Sequence, residues 1–177
     1  MDKASAQTLG NRQIVENLDR EFARLHANSC AAIRSAPVGA LYLVPSQVGI
    51  PSPASESSSM VSLGEGILRC AAAVERTFGG ITSNLWDDPF EWTLPEYLST
   101  PEKVTAHLAE VEETRKRAFS SFADDDCLLK QISLPSGQTQ PLVGLLLETL
   151  VNAVNQQSQA LLMLRILSGI SPPRFII

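Results

Sequence analysis

Polar side chains form a stripe along the longest predicted helix, which covers residues 142–167. The stripe recurs every three or four positions and is apolar only at its ends: Leu145, Thr149, Asn152, Gln156, Gln159 and Met163. Residues at this spacing lie on one face of a helix. Because amides and hydroxyls donate and accept hydrogen bonds, the stripe predicts a polar centre in a helical bundle and a pocket for a small molecule. The alternative is that Asn152 and Gln156 satisfy each other, nearby backbone groups or solvent.

Two further candidates for this pocket are neighbours on the second predicted helix. The guanidinium of Arg69 could bind an anion such as a carboxylate, or it could pair on the surface with Glu65 one turn earlier. Cys70 lies on the apolar stripe of the same helix and is predicted to be a buried thiol, because a reactive thiolate would need the Arg69 side chain turned inward. The candidate pocket therefore comprises Arg69, Cys70, Asn152 and Gln156, and no residue is assigned as catalytic.

A different site could be built from His26, Cys30 and His107. His26 and Cys30 are four residues apart near the end of the first predicted helix, which is the spacing of a two-ligand metal clip. His107 lies on the third helix, which could pack against the first only diagonally. A pair of ligands without further partners is weak evidence, so no metal site is predicted.

Apolar periodicity predicts four long helices, at about residues 8–34, 62–78, 99–124 and 142–167. The second helix begins with the capping-box residues Ser62 and Glu65, and Gly79-Gly80 is predicted to end it. The third is capped by Ser99 or Thr100 and has Pro101 in its first turn, and residues 128–134 predict a short extended segment or a small hairpin before the fourth. The fold class is therefore all-α, a four-helix bundle in a single domain of residues 1–177, with residues 1–8 as a flexible tail.

Two connections between these helices are unusual. The first connection, residues 36–59, is long and rich in Pro, Gly and Ser. The connection between helices 2 and 3 contains Pro89 and Pro95, so it is predicted to be a crossover segment and not a helix. Four aromatic residues anchor the crossover: Trp86, Phe90, Trp92 and Tyr97. They could form a ligand lid or a dimer contact, or they could close one end of the bundle.

The composition excludes several classes of function. Lys and Arg number 14 and Asp and Glu number 19, giving a formal net charge of −5, and the only basic run is Arg115-Lys116-Arg117. Binding to nucleic acid is therefore not expected. No stretch of 18 apolar residues and no apolar signal segment is found, so neither a membrane span nor secretion is predicted. The three cysteines indicate reduced thiols, and a cytoplasmic location is expected.

Two segments of the chain resemble the DinB/YfiT-like superfamily of four-helix bundles. Residues 62–75, SLGEGILRCAAAVE, resemble a second-helix pattern with a Ser-hydrophobic-Gly start, a histidine about seven residues on and a closing acidic residue. Residues 152–173, NAVNQQSQALLMLRILSGISPP, resemble a pattern of two histidines four apart, then a small residue, Gln, an aliphatic run with Arg, and Gly-hydrophobic-x-Pro-Pro. The resemblance covers almost the whole chain and implies a DinB-like bundle.

The resemblance also implies a divalent metal such as Zn or Ni, held by one histidine of the second helix and two of the fourth. In this chain the histidine positions of the fourth helix fall on Asn152 and Gln156. The second-helix position falls on Arg69 or on Cys70, depending on which end of the motif is aligned. Amide oxygens are poor ligands for zinc and nickel, and arginine has no lone pair to offer. The family fold is therefore expected without the family metal and without another cofactor.

The sequence thus leads to two hypotheses about function. The first is a metal-free module that binds a small molecule or a partner protein and forms a homodimer. The alternative is a metal-dependent thiol transferase or hydrolase of the DinB/YfiT type with non-standard ligands. The identity of the ligand or substrate is open under both hypotheses.

Overall fold

The computed structural model describes residues 11–44, 61–87 and 97–168. In this part of the chain, four helices carry most of the regular structure: α1 (Gln13–Arg34), α2 (Leu63–Ser83), α3 (Pro101–Ser121) and α4 (Leu142–Ser168). A 3-10 helix (Asp125–Leu129) and two short antiparallel strands, β1 (Gln131–Ser133) and β2 (Thr139–Pro141), connect α3 to α4. The predicted all-α four-helix fold and the small hairpin are confirmed. None of these helices is both long enough and apolar enough to cross a membrane.

Helix α1 runs antiparallel to both α2 and α3. The Phe22 ring packs against Phe78 with 5.1 Å between centroids, and Ser29 lies across from Cys70, so later residues of α1 meet earlier residues of α2. Arg12, just before α1, donates to the Phe122 carbonyl, and Arg115 of α3 forms an ion pair with Asp19 of α1, so earlier residues of α1 meet later residues of α3. This direct packing of α1 against α3 shows that the expected diagonal arrangement is wrong.

Helices α2 and α3 are parallel, because both run opposite to α1. The end of α2 and the start of α3 therefore lie toward opposite ends of the bundle, and residues 88–96 of the predicted crossover lie outside the described residues. Helix α4 runs antiparallel to α2, since Thr77 bonds to Thr149 and Gly66 touches Ala160. The predicted tail at residues 1–8, residues 45–59 of the first connection, and Phe90 and Trp92 lie outside the described residues.

Helix α2 continues past Gly79-Gly80, where the sequence predicted its end. It reaches Ser83 and is terminated by Asn84 in the left-handed conformation, with φ 55°. Gly80 allows the Trp86 ring to pack directly against the helix backbone, because a Cβ atom there would lie 2.4 Å from the ring. The missing side chain lets the segment after α2 fold back against the helix.

Side chains hold the other helix ends in place. Ser62 Oγ accepts a hydrogen bond from the Glu65 backbone N at 3.2 Å, which is half of the predicted capping box. Helix α3 begins at Pro101 after Thr100, as predicted. The first turn of α1 donates backbone N–H groups to the Asp125 carboxylate, at 2.9 and 3.1 Å, which fixes α1 to the 3-10 helix.

Gln157 forms the polar centre of the bundle, although the stripe predicted from the sequence does not include it. Its side chain is 1% exposed, and its amide nitrogen donates to the Leu25 carbonyl at 2.8 Å and to Ser29 Oγ at 2.7 Å. Asn152 is exposed and Gln156 is half-buried. The prediction that these two amides look into the bundle is therefore wrong, because in the middle of α4 the residues that face the bundle are Ala153 and Gln157, one position after each predicted amide.

Candidate functional site

A groove of about 410 Å³ lies between α2, α4 and the β-hairpin. Arg69 and Arg76 lie on its α2 wall, and Asn152 and Gln156 lie on its α4 wall. The loop of the hairpin closes one end with Leu134, Pro135 and Ser136. Three of the four predicted pocket residues therefore border one groove, which opens on the surface of the bundle and not at its centre.

The Arg69 guanidinium is paired with Glu65 one turn earlier on α2. Its Nε and one terminal nitrogen donate to the same carboxylate oxygen, at 3.1 and 2.8 Å. This is the surface pair that the sequence offered as the alternative to anion binding. Arg69 nevertheless borders the groove, so its charge faces the same space as the amides.

Arg76, two turns after Arg69, was not selected from the sequence. Its Nε donates to the Trp86 carbonyl at 3.0 Å. The Trp86 indole N–H donates to the Asn84 side chain at 3.1 Å, and the ring rests on Gly80. The turn after α2 therefore holds both the Arg76 side chain and the Trp86 ring at the border of the groove. The seven-residue spacing from Arg69, which puts both arginines on one face, is the signal that could have found it.

The floor of the groove is formed where α2 meets α4. Thr77 Oγ1 and Thr149 Oγ1 are 2.8 Å apart, and Thr149 also donates to the Leu145 carbonyl at 2.8 Å. Both hydroxyls are buried and satisfied by these bonds. On the outer edge of the α4 wall, Glu148 accepts a long hydrogen bond of 3.5 Å from Gln140. The floor is thus a fixed surface, and the charged groups lie above it on both walls.

Cys70 does not border this groove. It is 2% exposed on the opposite side of α2, where its sulfur lies 4.0 Å from Ser29 Oγ and borders a separate cavity of about 20 Å³. Burial raises the pKa of the Cys70 thiol to about 12, so it is protonated at neutral pH. The prediction that Cys70 shares a pocket with Arg69 is wrong, because successive residues of a helix point about 100° apart. The interpretation as a buried thiol agrees with this position.

The two histidines have different neighbours. His26 Nε2 lies 3.6 Å from Cys30 Sγ on α1, and burial lowers the pKa of His26 below its ordinary value. His107 Nε2 lies 3.8 Å from Oε2 of Glu75 on α2. Within residues 11–44, 61–87 and 97–168, no three His, Cys, Asp or Glu side chains are grouped as metal ligands.

A buried ion cluster joins α1 to α3 near the small cavity. Arg115 is 3% exposed and donates to both oxygens of Glu112, at 2.7 and 2.8 Å, and to Asp19. Burial opposes the charged form of Arg115, but these hydrogen bonds raise the pKa of the guanidinium above its ordinary value. Because every charged group in the cluster is paired, its geometry fits a structural role in α1–α3 packing.

The residues at the family's ligand positions do not fit a transition metal. Asn152 and Gln156 offer amide oxygens, Arg69 offers only donors, and Cys70 points away from the other three. The arrangement can bind a polar molecule through hydrogen bonds and charge, because donors and acceptors converge on an open groove.

Comparisons with known protein families, with curated proteins and with solved structures found no match to this chain. The relation to DinB-like bundles therefore stays a prediction from the sequence motifs.

Proposed function

We propose that the chain is a DinB-like bundle that binds a small polar molecule in the α2–α4 groove without a metal ion. The supporting observation is that Arg76 on one wall and Asn152 and Gln156 on the other border a single groove of about 410 Å³. That volume is in the range of small-molecule sites, roughly 300–1,000 Å³. The floor is fixed by the Thr77–Thr149 bond, so the groove exists before a ligand arrives.

The enzyme hypothesis with non-standard metal ligands has less support from the geometry. It requires Cys70 to act together with Asn152 and Gln156, but the sulfur lies on the far side of α2 and borders a different cavity. Its thiol is also protonated at neutral pH, because burial raises its pKa to about 12. A thiol in that state is a poor nucleophile and a poor metal ligand.

Filling the groove tests the proposal. Ala73→Phe places a ring into the groove at a position on its border, and the exposed Ala109→Phe on α3 is the matched control. We expect a screen of polar metabolites by thermal shift to yield ligands that stabilise the wild type and Ala109→Phe but not Ala73→Phe. Metal analysis of the wild type from metal-supplemented culture should show no stoichiometric transition metal. Ligands that still stabilise Ala73→Phe, or a metal equivalent that survives dialysis, would contradict the proposal.

We also propose that the chain forms a homodimer through the outer face of α4. Large apolar side chains on this face are exposed: Leu147, Val151, Val154, Leu162 and Ile166. Glu148 and Arg165 are the only charged residues of α4 and lie toward its opposite ends. Antiparallel pairing of two copies therefore sets the acidic end of one at the level of the basic end of the other. The same pairing sets Val151 of each copy at the level of Leu162 of the other.

Measuring the oligomeric state of the wild type and of variants tests whether the outer face of α4 is a dimer interface. We expect the wild type to be dimeric by light scattering and Leu162→Glu to be monomeric with an unchanged circular dichroism spectrum, because a charge would be buried at the interface. Leu129→Glu is the control, since Leu129 is also exposed, at 67%, but lies on the 3-10 helix. A monomeric wild type, or a dimeric Leu162→Glu, would refute this interface.

A further inference from the structure

We infer that the ligand of the α2–α4 groove is a small organic monocarboxylic acid, with its carboxylate held by Arg76 and its apolar part beside Trp86. This inference rests on the proposed function of the groove and specifies the chemistry of its ligand.

Arg76 has terminal N–H donors that can bind a ligand. Its Nε donates to the Trp86 carbonyl at 3.0 Å, and its two terminal nitrogens make no hydrogen bond or ion pair within the described residues. The Arg69 guanidinium, in contrast, already donates twice to Glu65. Two parallel N–H groups on the outer edge of a guanidinium match the two oxygens of a carboxylate. Because the Nε bond fixes the side chain, binding costs less conformational entropy than it would for a free arginine.

An amide on the opposite wall can complete the carboxylate site. Thr77 and Thr149 are bonded at the floor, Arg76 immediately precedes Thr77, and Asn152 follows Thr149 by one turn. Since α2 and α4 are antiparallel, Arg76 and Asn152 lie at nearly the same level of the groove. The Asn152 amide can then donate a third hydrogen bond to an anion held by Arg76.

The charge balance favours a monoanion over a phosphate ester. Glu65 offsets the charge of Arg69, which leaves Arg76 facing Glu148 on the opposite wall. A carboxylate adds a single negative charge to this space, whereas a phosphate monoester adds about two. The second charge would be repelled by Glu148 without a further cation to receive it.

Beyond Arg76, several apolar side chains border the groove. They are the half-buried Trp86, the buried Leu145, Leu134 and Pro135. The Trp86 ring rests against Gly80, and its N–H bond to the Asn84 side chain orients it. Such a surface suits a planar ring attached to the acid, since aromatic faces pack well by offset stacking. The carboxylate site and the apolar surface are adjacent, because Trp86 supplies both the ring and the carbonyl that orients Arg76.

Four related probes test the inference: phenylacetate, its neutral isostere phenylacetamide, acetate, which lacks the ring, and phenyl phosphate. Affinities are measured by calorimetry on the wild type, Arg76→Gln, Arg76→Lys and the control Arg117→Gln, an exposed arginine of α3 outside the groove. We expect the wild type to prefer phenylacetate over phenylacetamide by about 10- to 100-fold, the range for hydrogen bonds to charged groups. Phenyl phosphate and acetate should bind more weakly than phenylacetate.

The variants separate the role of Arg76 from the role of the groove. Arg76→Gln should lose the preference for the acid, Arg76→Lys should keep part of it, and Arg117→Gln should match the wild type. Equal binding of acid and amide by the wild type, abolished by Ala73→Phe, would overturn this inference and leave the proposed function standing. Stronger binding of phenyl phosphate, or an unchanged Arg76→Gln, would also overturn it. Failure of all four probes to bind would count against the inference, whereas the metabolite screen decides the proposed function.

Discussion

Replacing Gln157 by methionine should destabilise the bundle, although both side chains are similar in size and shape. Gln157 is 1% exposed, and its amide donates to the Leu25 carbonyl and to Ser29 Oγ at 2.8 and 2.7 Å. Methionine offers no donor, so both acceptors lose a partner inside the bundle. Each hydrogen bond contributes about 1 kcal/mol net, and an unsatisfied buried acceptor costs about 1–3 kcal/mol. We therefore expect a loss of about 2 kcal/mol in the free energy of unfolding.

Urea unfolding followed by circular dichroism measures this loss. With a slope of about 2 kcal/mol/M, the midpoint should fall by about 1 M without a change in slope. Gln159→Met is the matched control, because Gln159 is exposed two positions further along α4, and its effect should stay within about 0.5 kcal/mol. The reasoning fails if Gln157→Met is as stable as the wild type, or if the control loses more than Gln157→Met does.

A double-mutant cycle with Ser29→Ala identifies which bond carries the effect. Ser29 accepts one of the two bonds, at 2.7 Å, so the two substitutions share an interaction. Gln157→Met should cost about 1 kcal/mol less in the Ser29→Ala background than in the wild type. Strict additivity would show that the Gln157–Ser29 bond contributes nothing to stability.

Further predictions concern Gly80 and Glu75. Gly80→Ala should cost about 1–3 kcal/mol, because its Cβ would lie 2.4 Å from the Trp86 ring, whereas Gly144→Ala, with its nearest contact at 3.9 Å, should be neutral or stabilising in the same unfolding assay. Burial raises the pKa of Glu75, although the nearby His107 opposes the shift, so the unfolded chain releases this proton at lower pH than the folded one. The contribution of Glu75 to stability is therefore present below its ordinary pKa of 4.5 and is lost as the pH rises through the higher folded value. From about pH 4 to about pH 7, the free energy of unfolding of Glu75→Gln should increase relative to that of the wild type. A relative decrease with rising pH would refute the assigned direction of the pKa shift.

Apolar periodicity predicts the position of α4, and a capping residue followed by proline predicts the start of α3. Helix α4 was predicted at residues 142–167 and spans Leu142–Ser168, and α3 begins after the predicted cap Thr100. The end of α2 was missed because a glycine at a helix stop and a glycine required by a close contact look alike in sequence. Only the position of Trp86 in space shows that Gly80 serves the contact.

The rotation of α4 could not be predicted, and this rotation decides the site. Asn155, Gln156, Gln157 and Ser158 are consecutive polar residues, so hydrophobicity alone does not show which one faces the core. A shift by one residue rotates a helix by about 100°, which moves Gln156 to the groove and Gln157 to the centre. On α2, the 100° between successive residues likewise puts the neighbours Arg69 and Cys70 on different sides of the helix. The chemistry of the side chains was enough to select candidate pocket residues. Which of these residues border the same groove depends on the packing of α4 against α2.

The central claim is that the α2–α4 groove is the binding site, and a map of phenylacetate binding by ¹H–¹⁵N NMR tests it most directly. The account predicts that chemical shift changes concentrate on the Arg76 and Trp86 signals and on Asn152 across the groove. Changes around His26 and Cys70 on the other side of α2 would place the site in the wrong part of the bundle. That pattern would contradict the central claim, whereas an unchanged spectrum at high probe concentration would contradict the choice of an aryl acid as the ligand.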